Sequence, residues 1–193
     1  MNSICVYCGS KFGTNPAFKA QAQALGKLLA MQKITLVYGG GCIGLMGAIA
    51  DAVLENDGEV VGVLPSFMNE IELRHEGLTE MILVDSMHQR KLKMAELADG
   101  FIAMPGGLGT LEELSEILTW VQLQLIQKPV GILNVDNYYH HLIALLDHMV
   151  SEALLKAENR DFLLVESDPA KLVEGLQNFT QKYPHQWQHL DRT

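Results

Sequence analysis

The residues best suited to bind and react with a ligand lie in one short segment, MPGGLGTLEE, at positions 104–113. The apolar run before it, residues 101–104, is typical of a buried strand, and apolar residues at helical spacing follow it. Three glycines between a strand and a helix leave backbone N–H groups accessible, because no Cβ shields them. The helix adds unpaired N–H groups and the positive end of its dipole, which favours a phosphate. Glu113 places a carboxylate one turn into that helix.

The same residues also have a purely structural interpretation. Thr110 and Glu113 are spaced as a capping box, in which Thr110 caps the helix and Glu113 reaches back to the Thr110 N–H. A glycine-rich turn between a strand and a helix is, by itself, weak evidence for a specific ligand. A second turn of the same kind elsewhere in the chain favours the functional interpretation.

This second glycine-rich turn follows the apolar run at residues 35–38 and precedes a helix predicted over residues 45–55. Its glycines at 39, 41 and 44 match the spacing of the dinucleotide fingerprint G-x-G-x-x-G. The acidic residue expected about 20 positions on does not end the next strand; Glu59, the nearest candidate, precedes that strand instead. We therefore predict a phosphate-binding turn and no complete NAD site. The residues assigned to this turn are Gly40, Gly41 and Gly44.

A third segment, MHQRK at residues 87–91, opens a predicted helix that Ser86 caps. A guanidinium binds phosphate or ribose oxygens through a planar fork, whereas an ammonium adds a point charge. Adjacent residues on a helix point about 100° apart, so Arg90 and Lys91 cannot face one site equally. We expect Arg90 to face it, and a solvated helix surface is the alternative for Lys91.

The elements that must position these segments alternate regularly along the chain. Short apolar runs predict strands at residues 4–8, 35–38, 60–64, 81–84, 100–104, 129–133 and 162–166. Amphipathic stretches predict helices at 16–31, 45–55, 86–98, from the 104–113 segment to 125, at 138–150 and from 168 onward. This order indicates an α/β protein with a Rossmann-like, doubly wound parallel sheet and helices on both faces. Ligands bind such sheets at the carboxyl ends of the strands, so the three segments can share one crevice.

Length, composition and charge indicate the number of domains and exclude some classes of function. The 193 residues predict one nucleotide-binding domain over residues 1–182, followed by a polar tail at 183–193. The net charge of −9 argues against binding to nucleic acid or to an anionic membrane. We see no secretory signal and no apolar stretch of about 20 residues that would span a membrane.

The three cysteines, Cys5, Cys8 and Cys42, predict reduced thiols in a cytoplasmic protein. Cys5 and Cys8 have C-x-x-C spacing but lie in a predicted strand, where they face opposite sides. His141 and His148 come closest to a metal-ligand pattern, without an acidic or cysteine partner at ligand spacing. We therefore expect no metal and no cofactor.

The 105–113 segment resembles the PGGxGTxxE signature of the LOG ("lonely guy") family, and residues 87–91 resemble its MHxRK element. The resemblance extends over nearly the whole chain, through VYCGS at 6–10, YGGG and GLMG at 38–47, and LTWVQL at 118–123. Members are cytokinin riboside 5′-monophosphate phosphoribohydrolases, long labelled lysine decarboxylases. The resemblance implies hydrolysis of the N-glycosidic bond of AMP or an N6-modified AMP. Residues 124–128 depart from the glycine-histidine turn of many members, which leaves the base preference open.

The resemblance also implies roles for individual residues, with Arg90 and Glu113 as the catalytic pair. Together with the residues assigned from the glycine-rich turns, the substrate-binding set is Gly9, Ser10, Gly40, Gly41, Gly44, Glu72, Met87, Lys91, Gly106, Gly107, Leu108, Gly109, Thr110 and Thr119. Because members are typically dimeric, we expect a homodimer that binds a nucleoside 5′-monophosphate. The alternative is a non-catalytic nucleotide or molybdenum-cofactor carrier of the same fold, which would not need Arg90 and Glu113 together.

Overall fold

The computed structural model of this chain describes residues 1–68 and 74–180. Its strands are β1 (Ser3–Tyr7), β2 (Thr35–Tyr38), β3 (Val60–Pro65), β4 (Glu80–Val84), β5 (Gly100–Ala103), β6 (Val130–Leu133) and β7 (Leu163–Glu166). Its helices are α1 (Pro16–Met31), α2 (Gly44–Leu54), α3 (Met87–Leu97), α4 (Leu108–Gln122), α5 (His140–Ser151), α6 (Ala157–Arg160) and α7 (Pro169–Gln177). The predicted alternation of strands and helices is confirmed, and the four-residue α6 is an addition too short to show helical periodicity.

All seven strands pair in parallel in one sheet with the order β4-β3-β2-β1-β5-β6-β7. This confirms the predicted α/β, doubly wound architecture. The chain moves outward from β1 to β4 and then returns, placing β5 against the free edge of β1. The loops that leave β1 and β5 therefore run in opposite directions over the sheet, and the crevice between them is the usual ligand site of such folds.

Two apolar layers cover the two faces of the sheet. Ile4 and Val6 of β1 pack with α1, α2 and α7 on one face, whereas Cys5 and Tyr7 pack with α3 and α4 on the other. This is the alternation expected of a strand buried on both sides. It also places Cys5 and Cys8 on opposite faces, both buried and unpaired, as predicted. Within the described ranges, no helix combines the length and apolarity needed to cross a membrane.

Some element boundaries differ from the prediction. α4 begins at Leu108 with Gly107 as its N-cap, so Thr110 lies inside the helix and is buried. The predicted capping box of Thr110 and Glu113 is therefore wrong. The helix also ends at Gln122 instead of residue 125, because Gln124 adopts a positive φ that helical geometry cannot continue. α5 starts at His140 because a 3₁₀ turn, Val135–Asn137, precedes it.

Two predicted helix starts are confirmed in detail. Ser86 caps α3 by accepting the Gln89 N–H at 3.2 Å. The Gln89 side chain reaches back to the Asp85 N–H at 2.8 Å, one residue before the N-cap of an ideal capping box. Asp168 caps α7, and Pro169 occupies its first position. The predicted polar tail at 183–193 lies outside the described residues.

We expect Asp168→Ala to lower the free energy of unfolding by about 1 kcal/mol. The Asp168 carboxylate accepts the N–H groups of Ala170 and Lys171 at 2.8 and 3.1 Å, and alanine leaves both donors without this acceptor. Equilibrium urea unfolding measures the loss. Asp168→Asn is the matched control, since its amide oxygen retains the acceptor. Equal stabilities for the alanine and asparagine variants would contradict the capping role.

Candidate functional site

The segments that border the crevice are joined through the backbone N–H and C=O of Gly9, shortly after β1. The Gly9 N–H donates to Pro105 O at 3.1 Å, which ties this turn to the turn after β5. The Gly9 carbonyl accepts the N–H groups of Leu45 and Met46 at 3.0 and 3.4 Å, which ties it to the first turn of α2. The two glycine-rich turns and the β1 turn are therefore parts of one surface, as predicted.

The hydrogen bonds to Gly9 reduce the number of N–H groups that the second glycine-rich turn can offer to a phosphate. Two of the first N–H groups of α2 are used inside the protein, so fewer remain for a phosphate than predicted. Gly44 serves packing here: its φ is 63°, and a Cβ would overlap the backbone of Ser10 and Lys11. Gly40 and Gly41 pair with the chain at residues 74–75, through His75 N–H to Gly40 O and a bridge to Arg74.

The first turn of α4 is, by contrast, open. Gly107 caps this 15-residue helix without a side-chain hydrogen bond, and the first backbone bond into it is Leu111 N–H to Gly107 O at 3.1 Å. A Cβ built on Gly107 or Gly109 would meet nothing within 4 Å. Leu108 between them is 86% exposed. The N–H groups at the start of α4 can therefore reach a ligand from solvent.

Two tyrosines that the sequence analysis did not identify hold the turn after β5 in place. The Tyr138 hydroxyl donates to Gly106 O at 2.5 Å, and the Tyr139 hydroxyl donates to Met104 O at 2.6 Å. With these carbonyls held on the protein side, the turn keeps one orientation. The available signal was two adjacent tyrosines shortly after the sixth apolar run, at the carboxyl edge of the sheet. The sequence pattern places both tyrosines only at the start of a predicted helix.

A cleft of about 350 Å³ opens beside the joined turns. Glycine-rich backbone forms one side, and aromatic rings form much of the other. Its lining includes Gly9, Ser10, Gly106 and Gly107 together with Phe12, Phe18 and Tyr138. Arg90 and Glu113 do not line this cleft, because α3 and the inner side of α4 cover the opposite face of the sheet from Phe18. The start of α4 thus lies between the aromatic cleft and the predicted reactive pair.

Arg90 is held at the carboxyl ends of β2 and β3. Its Nε donates to Val63 O and its Nη2 donates to Gly39 O, both at 3.1 Å, and the residue is 8% exposed. A Cβ on Gly39 would overlap Nη2, so glycine is needed for this approach. The remaining group, Nη1, lies 3.9 Å from the Met87 sulfur. Arg90 and Lys91 point in different directions, as predicted, and the expectation that Arg90 faces the ligand stays a prediction.

Glu113 lies partly buried near Arg90 and the end of β1. Burial raises the pKa of its carboxyl to about 7, and the neighbouring Arg90 guanidinium opposes part of that rise. The Glu113 charge in turn raises the pKa of the Cys5 and Cys8 thiols, for which burial is the larger cause. A carboxyl that exchanges its proton near neutral pH is suited to acid–base chemistry, and such groups concentrate at functional sites.

Lys91 is not on a solvated surface, so that alternative is wrong. Its ammonium contacts Glu112 at 2.5 Å and Glu116 at 3.0 Å, and its side chain is 10% exposed. Burial by itself lowers the pKa of Lys91, but the two carboxylate hydrogen bonds outweigh it and the net pKa is raised. The exposed Lys93, which pairs with Glu96 at 3.5 Å, has the surface position that the alternative interpretation assigned to Lys91.

One predicted substrate-binding residue, Thr119, is not brought to the pair. Glu72 lies outside the described residues. Thr119 lies exposed on α4, where its hydroxyl donates to Ser115 O at 2.8 Å, and it lines a separate groove of about 260 Å³ beside α5 and α6. It lies about 9 Å along the helix from Glu113 and about 120° around it. Residues 1–68 and 74–180 contain no group of three or more metal-ligating side chains.

Comparison with known sequences identifies similar proteins. A family model described as "Possible lysine decarboxylase" matches residues 46–176. The cytokinin riboside 5′-monophosphate phosphoribohydrolase LOG4 of Arabidopsis thaliana is 44% identical over 177 residues, covering 92% of this chain and 82% of its own. LOG7 of the same plant, with the same description, is 41% identical and covers 98% and 89%. A rice protein described as a probable enzyme of this kind, also called LOG4, is 45% identical and covers 91% and 76%.

Solved structures with the same fold are more distant in sequence. A molybdenum cofactor binding protein from Rippkaea orientalis superposes with a TM-score of 0.69 at 24% identity, over 91% of this chain and 94% of its own. The molybdenum-cofactor carrier protein of Chlamydomonas reinhardtii gives 0.67 at 21% identity, with the same coverage. At this level of identity the likeness concerns the fold alone.

We expect Glu113→Gln to stabilise the protein in a pH-dependent way. Because the folded-state pKa of Glu113 is raised from 4.5 to about 7, native protein binds a proton more readily than unfolded protein. The stability this proton confers is complete below pH 4.5 and is lost as pH rises through 7. Glutamine stays neutral, so its advantage over wild type should grow from near zero at pH 4.5 to about 3 kcal/mol at pH 8.

Urea unfolding at pH 4.5 and pH 8 measures this difference. Glu55→Gln, at the exposed end of α2, is the control for loss of a surface carboxylate. A Glu113→Gln advantage that is the same at both pH values would contradict a raised pKa for Glu113.

Proposed function

Since the chain belongs to the LOG family of cytokinin riboside 5′-monophosphate phosphoribohydrolases, we propose that it hydrolyses the N-glycosidic bond of nucleoside 5′-monophosphates. AMP and N6-modified AMP are the substrates, and the products are free base and ribose 5-phosphate. The proposal rests above all on one arrangement: Arg90 and Glu113 lie together beside an open helix N-terminus at the switch point of the sheet.

The 5′-phosphate binds at the start of α4. The N–H groups of Leu108, Gly109 and Thr110 and the positive end of the helix dipole supply the attraction. The open space beside Gly107 and Gly109 admits phosphate oxygens close to the backbone. Gly9, Ser10 and Gly106 border the same space and complete the phosphate end of the site.

With the phosphate there, the ribose lies toward Arg90 and Glu113. Breaking the C1′–N bond leaves its electron pair on the departing base and develops positive charge on the ribose, as in glycoside hydrolysis. The Glu113 carboxylate stabilises that charge and takes a proton from the water whose oxygen bonds to C1′. The base nitrogen takes up a proton from solvent as it leaves, and Glu113 afterwards releases the proton of the attacking water to solvent. A pKa near 7 lets Glu113 accept and return a proton at neutral pH.

Arg90 holds the ribose and keeps Glu113 charged in the reaction. Two of its N–H groups are committed to Val63 O and Gly39 O, and these bonds fix the plane of the guanidinium. The N–H donors that these two bonds leave free can bind ribose or phosphate oxygens. The Met87 sulfur lies beside Nη1, so Met87 borders the same part of the proposed site.

The other glycines of the predicted set act mainly through packing. Gly44 lets α2 approach the β1 turn, while Gly40 and Gly41 anchor the chain at residues 74–75, next to the segment that holds Glu72. We propose that residues 1–182 form one nucleotide-binding domain of a cytoplasmic protein. The free thiols of Cys5, Cys8 and Cys42 are consistent with a reducing compartment.

A homodimer accounts for the position of Thr119. Because this threonine is turned away from Glu113 on its own α4, the site of a second copy would give it a role in nucleotide binding. The surface beside it is apolar: no residue of α5 is fully buried, and Leu145 and Leu154 are 48% and 82% exposed. Exposed apolar faces of this kind mark interfaces between chains.

A non-catalytic molybdenum-cofactor carrier remains the second candidate because the solved structures of similar fold bear that description. Their low sequence identity limits the likeness to the fold. Such a carrier needs the phosphate-binding turn but has no use for a buried carboxyl of raised pKa beside an arginine. The carrier would bind nucleotide without releasing base, which the following measurement distinguishes.

We expect wild-type protein incubated with AMP or N6-isopentenyl-AMP to release free base and ribose 5-phosphate, detected by chromatography. Glu113→Gln should lower this rate by about 10²- to 10⁴-fold, since it removes the base and the charge beside C1′. Glu55→Gln, at the exposed end of α2, should react like wild type. The ratio of the two substrate rates gives the base preference. Wild type that binds nucleotide but releases no base would favour the carrier.

We expect light scattering during size-exclusion chromatography to give twice the 21.4 kDa chain mass. Leu145→Glu, which places a charge on the exposed face of α5, should shift the protein toward monomer. Met31→Glu is the control, because this residue is 70% exposed at the end of α1 on the other side of the molecule. A monomeric wild type, or a dimer unaffected by Leu145→Glu, would contradict the proposed interface.

A further inference from the structure

An ion cluster centred on the buried Lys91 joins α3 to α4 beside the reactive pair. Lys91 of α3 contacts Glu112 and Glu116 of α4 at 2.5 and 3.0 Å. Glu112 and Glu116 lie one helical turn apart, so both can face the same ammonium. Among the described residues, these two contacts are the direct salt bridges between α3 and α4.

The cluster and the reactive pair share sequence neighbours. On α3, Arg90 and Lys91 are adjacent, and on α4, Glu112 and Glu113 are adjacent. Adjacent helical residues point about 100° apart, so each helix sends one residue to the reactive pair and the next to the cluster. Any rotation or sliding of α4 against α3 would move Glu113 relative to Arg90 and would also break the contacts of Lys91.

We infer that Lys91, Glu112 and Glu116 form a positioning clamp that fixes α4 against α3 and thereby sets the separation and charge environment of Arg90 and Glu113. The inference rests on the proposed function for what the pair does. It differs from the role implied by family resemblance, in which Lys91 binds the nucleotide. The Lys91 ammonium already has two carboxylate partners and an almost fully buried side chain, so it is poorly placed to contact a phosphate.

The clamp also controls the charge that Glu113 experiences. Arg90 and Lys91 of α3 lower the pKa of Glu113, whereas Glu112 and Glu116 of α4 raise it together with burial. The Cys5 and Cys8 thiols and the Tyr7 phenol also interact electrostatically with Glu113, and burial raises the pKa of each, so all three stay neutral at physiological pH. Removing a carboxylate and removing the ammonium should therefore shift the titration of Glu113 in opposite directions.

The test compares Lys91→Met and Glu116→Gln in the full-length protein. For Lys91→Met we expect kcat for AMP to fall about 10- to 100-fold, because misplaced reactive groups lose this much. KM should change less than about threefold, because ground-state binding of the phosphate is kept. The ascending limb of the kcat/KM profile should move to higher pH. Glu116→Gln should move the limb to lower pH by about half a unit or more.

The matched control is Lys93→Met, which removes an exposed lysine and its pair with Glu96 from the same helix. It should leave kcat, KM and the pH profile unchanged. A rise of about tenfold or more in KM for Lys91→Met, with an unmoved pH profile, would show that Lys91 binds the nucleotide and overturn the clamp. Unmoved profiles in both variants would also overturn it.

A second measurement needs no activity. In protein with ¹³C-labelled glutamate side chains and no substrate, the Glu113 carboxyl titration, assigned by its absence in Glu113→Gln, should move up in Lys91→Met and down in Glu116→Gln. If Lys91→Met does not fold, Glu116→Gln alone decides the outcome. A wild type without hydrolase activity would defeat the proposed function, whereas an unchanged Glu113 titration in the variants would defeat the clamp.

Discussion

The backbone hydrogen bonds of one residue, Gly9, hold the crevice together. Its N–H binds the turn after β5, and its carbonyl binds the first turn of α2. A parallel sheet brings the carboxyl ends of its strands to one edge, but it does not by itself fix the loops that follow them. In this protein the β1 turn lies between the other two and bonds to both. The open start of α4 is therefore oriented relative to a framework of strands and not by a flexible loop.

This framework holds the Glu113 carboxyl in a position where its burial is energetically unfavourable. Burying the Glu113 carboxyl costs free energy whenever it is ionised, and the nearby Arg90 offsets only part of that cost. Arg90 is itself held by the backbone carbonyls of Gly39 and Val63, so it does not collapse into a simple ion pair. Stability is thus given up to keep a carboxyl that can change protonation at neutral pH, a trade common at reactive sites.

The parallel sheet and the positions of the glycine-rich turns were predictable from the sequence, because both depend on local residue patterns. Apolar runs of four or five residues separated by amphipathic stretches predict the parallel sheet, and the glycine-rich turns identify its functional edge. The hydrogen-bond partners of each turn were less predictable, since they come from segments that are distant in the sequence. Nothing local reveals that Gly9 takes the N–H groups of Leu45 and Met46, or that Tyr138 and Tyr139 support the turn after β5. The partners of Lys91 come from another helix, 21 and 25 residues away.

The most direct test of the account compares AMP with adenosine as substrates of the wild-type protein. If the 5′-phosphate binds at the start of α4 and aligns the ribose with Glu113, its loss removes several charge-assisted hydrogen bonds. The account predicts that kcat/KM for adenosine falls at least about 100-fold below that for AMP, with ribose 5-phosphate formed only from AMP. Equal efficiency for the two substrates would contradict a phosphate-binding role for the glycine-rich turn, and with it the proposed site.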